Sequence, residues 1–158
     1  MKGNDRVIEY LNRALANELT AINQYFLHSK MLSNWGVSKL AKFIYKESID
    51  EMWHADWLIE RILFLEGIPD FKYMEKPMIA ADVLNILKAD FAQEDKAQPV
   101  LREGIAICEQ QRDYVSRELL EKILRAEEEH MDALEAHMRQ IEDLGMQNYL
   151  LSQSALPE

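Results

Sequence analysis

Apolar residues recur along this chain at intervals of three and four, the spacing that lines one face of an α-helix, and they do so in four long runs. In the first, residues 5–34, Ile8, Leu11, Leu15, Ile22, Tyr25 and Leu32 share a stripe with Glu18, and Asn4 is suited to cap the first turn. Gly36 breaks that run. The second, residues 38–66, has Ser38 as its expected cap and Gly67 as its stop, with Ile44, Ala55, Leu58, Ile62 and Leu65 around Glu51. The third, residues 82–112, sets Leu84, Leu87, Phe91, Leu101, Ile105 and Cys108 around Glu94. The fourth, residues 113–144, sets Leu120, Ile123, Leu124, Met131, Leu134 and Ile141 around Glu127. Residues 147–154 add a short fifth helix. Pro99, inside the third run, removes a backbone donor and crowds the preceding turn, so a kink or bulge is expected there.

Link lengths set the expected topology. Short links at 35–37 and near Asp113 make two antiparallel helical hairpins. The link 67–81, with Pro69 and Pro77, reaches roughly 50 Å when extended, enough to traverse a helix roughly 45 Å long. The expectation is an all-α four-helix bundle over one domain, residues 1–158, with a long crossover that leaves helices 2 and 3 parallel and a short C-terminal fifth helix.

Every one of the four glutamates interrupts an apolar stripe near the middle of its helix, so the four meet at one level of such a bundle. They also obey a spacing rule twice: Glu18 to Glu51 and Glu94 to Glu127 are both 33 residues, and the second pair follows the first by 76. His54 and His130 complete a Glu-x-x-His after each second glutamate, which puts both side chains on one helical face. Four carboxylates balance two divalent cations, and two neutral imidazoles add nitrogen donors without charge. Without metal, the same four carboxylates would be costly to bury together. Glu51 and Glu127 are expected to bridge two ions, Glu18 and His54 to complete one, and Glu94 and His130 the other, with iron or manganese suited to these donors. A lone glutamate is more often solvent-facing, and Glu127 opens a Glu-Glu-Glu run that reads as a charged face; the twofold spacing and the apolar flanks together outweigh that reading. Tyr25 either hydrogen-bonds a ligand or fills the core. Asp90 either orients a histidine or lies on the helix surface.

Charge and composition remove other classes. A net charge of -10 argues against nucleic-acid binding. Cys108 is the sole cysteine, so neither an internal disulfide nor a cysteine-based metal site is available. The N-terminal MKGNDRVIEY has no signal-peptide apolar core, and no apolar stretch is long enough to span a bilayer, so the chain is expected in the cytoplasm with no membrane partner. Met52 follows Glu51 and on a helix points roughly 100° away from it, outward. Leu19, Ile22, Phe26, Tyr45 and Ile49 can share that side, giving an apolar patch suited to a symmetric dimer.

Across essentially its whole length, in MKG, NQYFLH, ESIDEMWHAD, ERILFLEG, DYVSREL and NYLLSQ, the chain resembles the bacterioferritins among the ferritin-like proteins. The resemblance implies a twenty-four-subunit hollow cage for iron storage. It implies ferroxidase activity, with Fe(II) oxidised by oxygen or hydrogen peroxide at a di-iron site of Glu18, Glu51, His54, Glu94, Glu127 and His130. It implies haem b between two subunits, ligated by Met52 and its twofold mate. Identical subunits are the implied partners, with a second subunit type and a reducing ferredoxin as further candidates. Departures are local: Lys46 replaces a histidine that accompanies Asp50 in several relatives, Leu58 and Ala133 replace aromatics, and Trp53 replaces a common lysine. Two other readings stay open, a smaller rubrerythrin-type di-iron oxidase or peroxidase, which would lack its rubredoxin cysteine pairs here, and a haem-binding cage subunit whose metal site is idle.

Overall fold

The computed structural model of the protein describes residues 1–154; the last four residues of the expected domain lie outside the described residues. Five helices follow one another: α1 (Asp5–Asn34), α2 (Ser38–Phe64), α3 (Val83–Gln110), α4 (Tyr114–Leu144) and α5 (Met146–Gln153). The expected all-α architecture holds, and the boundaries show which local signals set it. Asn4 caps α1, its side-chain oxygen accepting from Arg6 N at 2.9 Å and Val7 N at 3.3 Å. Asp82 and Asp113 cap α3 and α4 in the same way, accepting from Asn85 N and Ser116 N.

Two expected boundary residues have other roles. Ser38 is the first helical residue of α2, not its cap; Val37 takes the cap position without a side-chain bond and is held by core packing instead. The α2 stop is Glu66, in the left-handed region at φ 62, and Gly67 N then donates to Ile62 O at 2.9 Å. Gly67 is needed for space: a Cβ there would stand 2.7 Å from Ile8 Cγ2. The kink or bulge expected at Pro99 is not a break, because α3 stays α-helical through it. Pro99 and Asp95, whose carbonyl loses its helical donor, both lie on the exposed face, where water can replace that donor.

Residues 65–82 form the crossover, and side chains of α1 hold its backbone. Asn12 Nδ2 donates to Ile68 O at 3.1 Å while Asn12 Oδ1 accepts from Asp70 N at 2.8 Å. Further along, Met78 N donates to Gln24 Oε1 and Ala80 N to His28 Nε2, each at 3.0 Å. Residues 12, 24 and 28 of α1 thus meet residues 68–70, 78 and 80 in ascending order, so the crossover runs along α1 in the same direction. Helix α3 therefore starts where α1 finishes and runs back against it, matching Gln24 with Asp90 and Tyr10 with Gly104. This leaves α2 and α3 parallel.

Apolar packing splits into two clusters. One contains Leu11, Leu15, Leu58, Ile62, Leu101 and Ile123; the other contains Leu32, Leu40, Ile44, Leu87, Leu134 and Tyr149, the last bringing in α5. Burying each such side chain contributes about 1.5–3 kcal/mol, which offsets the cost of the polar layer between the clusters. No helix among the described residues is long and apolar enough to cross a membrane.

Candidate metal centre

The polar layer is built from the middle of all four long helices. Glu18 comes from α1, Glu51 and His54 from α2, Glu94 from α3, and Glu127 and His130 from α4. All six residues are buried, and the five other than His130 are at most 4% exposed. They fall into two groups of four, each with its donor atoms within 4.8 Å of one another: Glu18, Glu51, His54 and Glu127, and then Glu51, Glu94, Glu127 and His130. Glu51 and Glu127 are common to both.

Individual distances describe the two halves. His54 Nδ1 is 3.4 Å from Glu18 Oε2, 3.3 Å from Glu51 Oε2 and 3.4 Å from Glu127 Oε1. His130 Nδ1 is 3.0 Å from Glu51 Oε1 and 3.6 Å from Glu94 Oε1. Glu18 Oε2, Glu51 Oε1, Glu94 Oε2, Glu127 Oε1 and His130 Nδ1 are buried without any hydrogen-bond partner. Buried polar atoms left unpaired are costly, and five converging on one spot fit a cation as their missing partner.

Protons carry the charge balance when no cation does. Burial works against a charged His54, yet the Glu127 and Glu51 carboxylates beside it hold its pKa up at about 9. His130 is likewise opposed by burial and held up at about 10, with Glu51 the foremost carboxylate. Glu51 is itself pushed up, first by burial and then by the Glu127 charge.

Around the six ligand candidates, Tyr25 is fully buried in the second apolar cluster and its hydroxyl donates to Glu94 Oε1, so it both fills the core and hydrogen-bonds a ligand candidate. Burial, then Asp90, raises its phenol pKa. Asp90 is also fully buried, so the helix-surface reading fails; it pairs with His28 at 2.8 Å, not with either histidine of the cluster. His28 and Gln24 escape a reading of periodicity because the crossover, not a helix, covers their face. Glu47 was also missed. It lies one turn before Glu51 on the same buried stripe, 2% exposed, with neither carboxylate oxygen partnered. Burial raises its pKa to about 8, against the His130 charge. The signal was present as a second acidic residue, beside Glu51, interrupting the stripe that runs from Leu40 through Ile44. Asp50 stands at the rim, its Oδ2 3.5 Å from His130 Nε2.

Met52 is on the other side of α2, 53% exposed. It lines an apolar groove of about 300 Å³ with Leu19, Ile22, Trp53, Ala55 and Ile59. Trp53 thus faces the groove beside Met52, while Leu58 is wholly in the core.

Residues 8–144 match the ferritin-like domain family. The chain is 43% identical to a bacterioferritin of Brucella melitensis over 149 residues, 94% of this chain and 92% of that protein. It is 45% identical to a bacterial ferritin of Synechocystis sp. over 154 residues, 97% and 99% of the two chains. With a bacterioferritin of Rhodobacter capsulatus it shares 41% identity over 155 residues, 98% and 96%. Kinship of that extent, carried on a bundle with one long crossover and an acidic, histidine-bearing layer at its centre, makes this chain a member of the bacterioferritin family of ferritin-like proteins.

Proposed function

We propose that the chain is a ferroxidase and iron-storage subunit, and that its six-residue layer is the site where Fe(II) becomes Fe(III) before deposition as mineral. The observation that carries this reading is the pair of four-residue groups sharing Glu51 and Glu127, with five buried donor atoms lacking any partner. Two divalent ions would neutralise the four carboxylates, so the loaded layer suits the apolar clusters on either side of it.

Glu18 and His54 would hold one iron, Glu94 and His130 the other, with Glu51 and Glu127 between them. Carboxylate and imidazole donors accept both iron oxidation states. When bound, two Fe(II) supply two electrons, which with two protons convert oxygen to hydrogen peroxide or hydrogen peroxide to water. The chain contributes position and proton balance: His54 and His130 release protons to free their nitrogen lone pairs, and Tyr25 fixes one oxygen of Glu94.

Beyond the layer, the reading extends to a cytoplasmic cage of twenty-four subunits, each folded as one domain. The outward apolar face around Met52 suits a twofold contact. Its exposed thioether beside an apolar groove would help hold a haem b between two copies, where haem would serve electron transfer for iron release. A reducing ferredoxin would supply those electrons, and a second subunit type is a further candidate partner.

Replacing both shared carboxylates, Glu51→Ala with Glu127→Ala, should abolish fast Fe(II) oxidation while leaving helix content and assembly mass intact. An unchanged initial rate of ferric absorbance growth would overturn the assignment.

A further inference from the structure

Asp90 is wholly buried one turn before Glu94 on α3, and the chemistry proposed for the metal layer leaves it without a role. Its Oδ1 accepts two hydrogen bonds from α1, from Gln24 Nε2 at 2.9 Å and His28 Nδ1 at 2.8 Å. Both donors are oriented from behind by the crossover. Met78 N donates to Gln24 Oε1, which turns the amide nitrogen toward Asp90. Ala80 N donates to His28 Nε2, which places the ring proton on Nδ1, again facing Asp90. Gln24 and His28 are one helical turn apart, and Tyr25 comes off α1 between them. The Tyr25 hydroxyl lies 3.3 Å from the Asp90 carbonyl oxygen and donates to Glu94 Oε1.

These bonds tie the crossover, α1 and α3 together at one level, beside one half of the layer only. Glu94 is a ligand candidate of the half completed by His130, whereas the half of Glu18 and His54 takes no part in them. A carboxylate ligand works only if its own support holds it in place, and outer partners of ligands characteristically set metal affinity.

We propose that Asp90 is a positioning residue: by clamping α1 to α3 through Gln24 and His28, it fixes Tyr25 and hence Glu94 for the cation held with His130. The proposal rests on reading the layer as a two-metal centre. It differs from a general stabilising role in one respect, that its loss is felt by one metal position and not by both.

Cobalt(II), a divalent ion that stays Co(II) without added oxidant, reports the two positions separately by visible absorption and calorimetry on the full, assembled, iron-free protein. The unaltered protein is expected to bind two Co(II) per chain. In Asp90→Ala the first should bind as before and the second about tenfold or more weakly. Asp90→Asn, which keeps an oxygen able to accept from Gln24 and His28, should restore most of that affinity. Should Asp90→Ala fail to assemble, Gln24→Ala, which removes one of the two donors, carries the same expectation. Two Co(II) bound with unchanged affinities in the alanine variant would overturn the proposal, as would an equal weakening of both. Failure of the unaltered protein to bind two Co(II), with no change in Glu51→Ala, would instead remove the two-metal reading on which it rests.

Discussion

Glu51 and Met52 are consecutive on α2 yet stand in opposite surroundings: Glu51 is 1% exposed among the ligand candidates, and Met52 is 53% exposed at an apolar groove. Successive helical residues lie roughly 100° apart, so one helix presents the buried carboxylate layer and the apolar groove at the same level. Met52→Leu keeps the groove apolar and deletes the sulfur. The visible spectrum of haem bound by the assembly should be lost while its light-scattering mass and rate of Fe(II) oxidation are retained. A normal haem spectrum in that variant would remove Met52 as ligand.

Without metal, the layer should make the protein less stable as pH rises. Glu47 goes from an ordinary value of 4.5 to about 8 in the fold, and His54 and His130 go from 6.5 to about 9 and about 10. Each raised value means that the native chain holds protons the unfolded chain has released, so stability falls with pH across those intervals. For Glu47 the loss runs from about pH 4.5 to 8, and for the histidines from about 6.5 to 10. Thermal melts of iron-free protein from pH 5.5 to 9 should show a declining melting temperature. Glu47→Gln should flatten the lower part of that slope. A rising melting temperature over the same range would contradict this account.

Much of this was legible in the sequence. Glu18, Glu51, Glu94 and Glu127 announce themselves because each breaks a helical apolar stripe, and periodicity also yields all five helices to within a few residues. What periodicity does not reveal is cover from an irregular segment. His28, Gln24 and Asn12 look like polar residues on a solvent face until the crossover lies on them. Asp90 was ambiguous for the same reason, since its partners sit on that covered face. Glu47 was passed over because it forms no Glu-x-x-His, although its position on the stripe was as telling as that of Glu51.

The end of α2 gives a sharper contrast between expectation and structure. Glu66 is a non-glycine residue at φ 62, a conformation that costs about 1 kcal/mol; its N–H donation to Leu63 O is one a glycine would keep, and its exposed pairing with the Met1 ammonium at 3.9 Å offsets little of that cost. Glu66→Gly should therefore be neutral to stabilising. Gly67→Ala should be destabilising by about 1–3 kcal/mol, because its Cβ would meet Ile8 Cγ2 at 2.7 Å and Ile62 Cγ2 at 3.1 Å. Melting temperatures of the two variants measured side by side should move in opposite directions, or only Gly67→Ala should fall. A larger fall for Glu66→Gly would reverse the roles assigned to these neighbours.

Cation binding to the layer should release protons and strengthen with pH. His54 at about 9 and His130 at about 10 hold protons at neutral pH that block the nitrogen lone pairs, and Glu51 is pushed upward by burial and by Glu127. A metal must displace those protons before it can coordinate, so raising pH from 6 to 9 lowers the competition and raises apparent affinity. Titrating iron-free protein with Co(II) in weakly buffered solution at pH 7 should yield close to one proton or more per ion, measured by a pH-stat. Glu51→Ala with Glu127→Ala removes the two carboxylates that raise the histidines, so proton release should fall together with affinity. Co(II) binding without proton uptake or release, and with affinity independent of pH, would mean that the ion binds outside the layer.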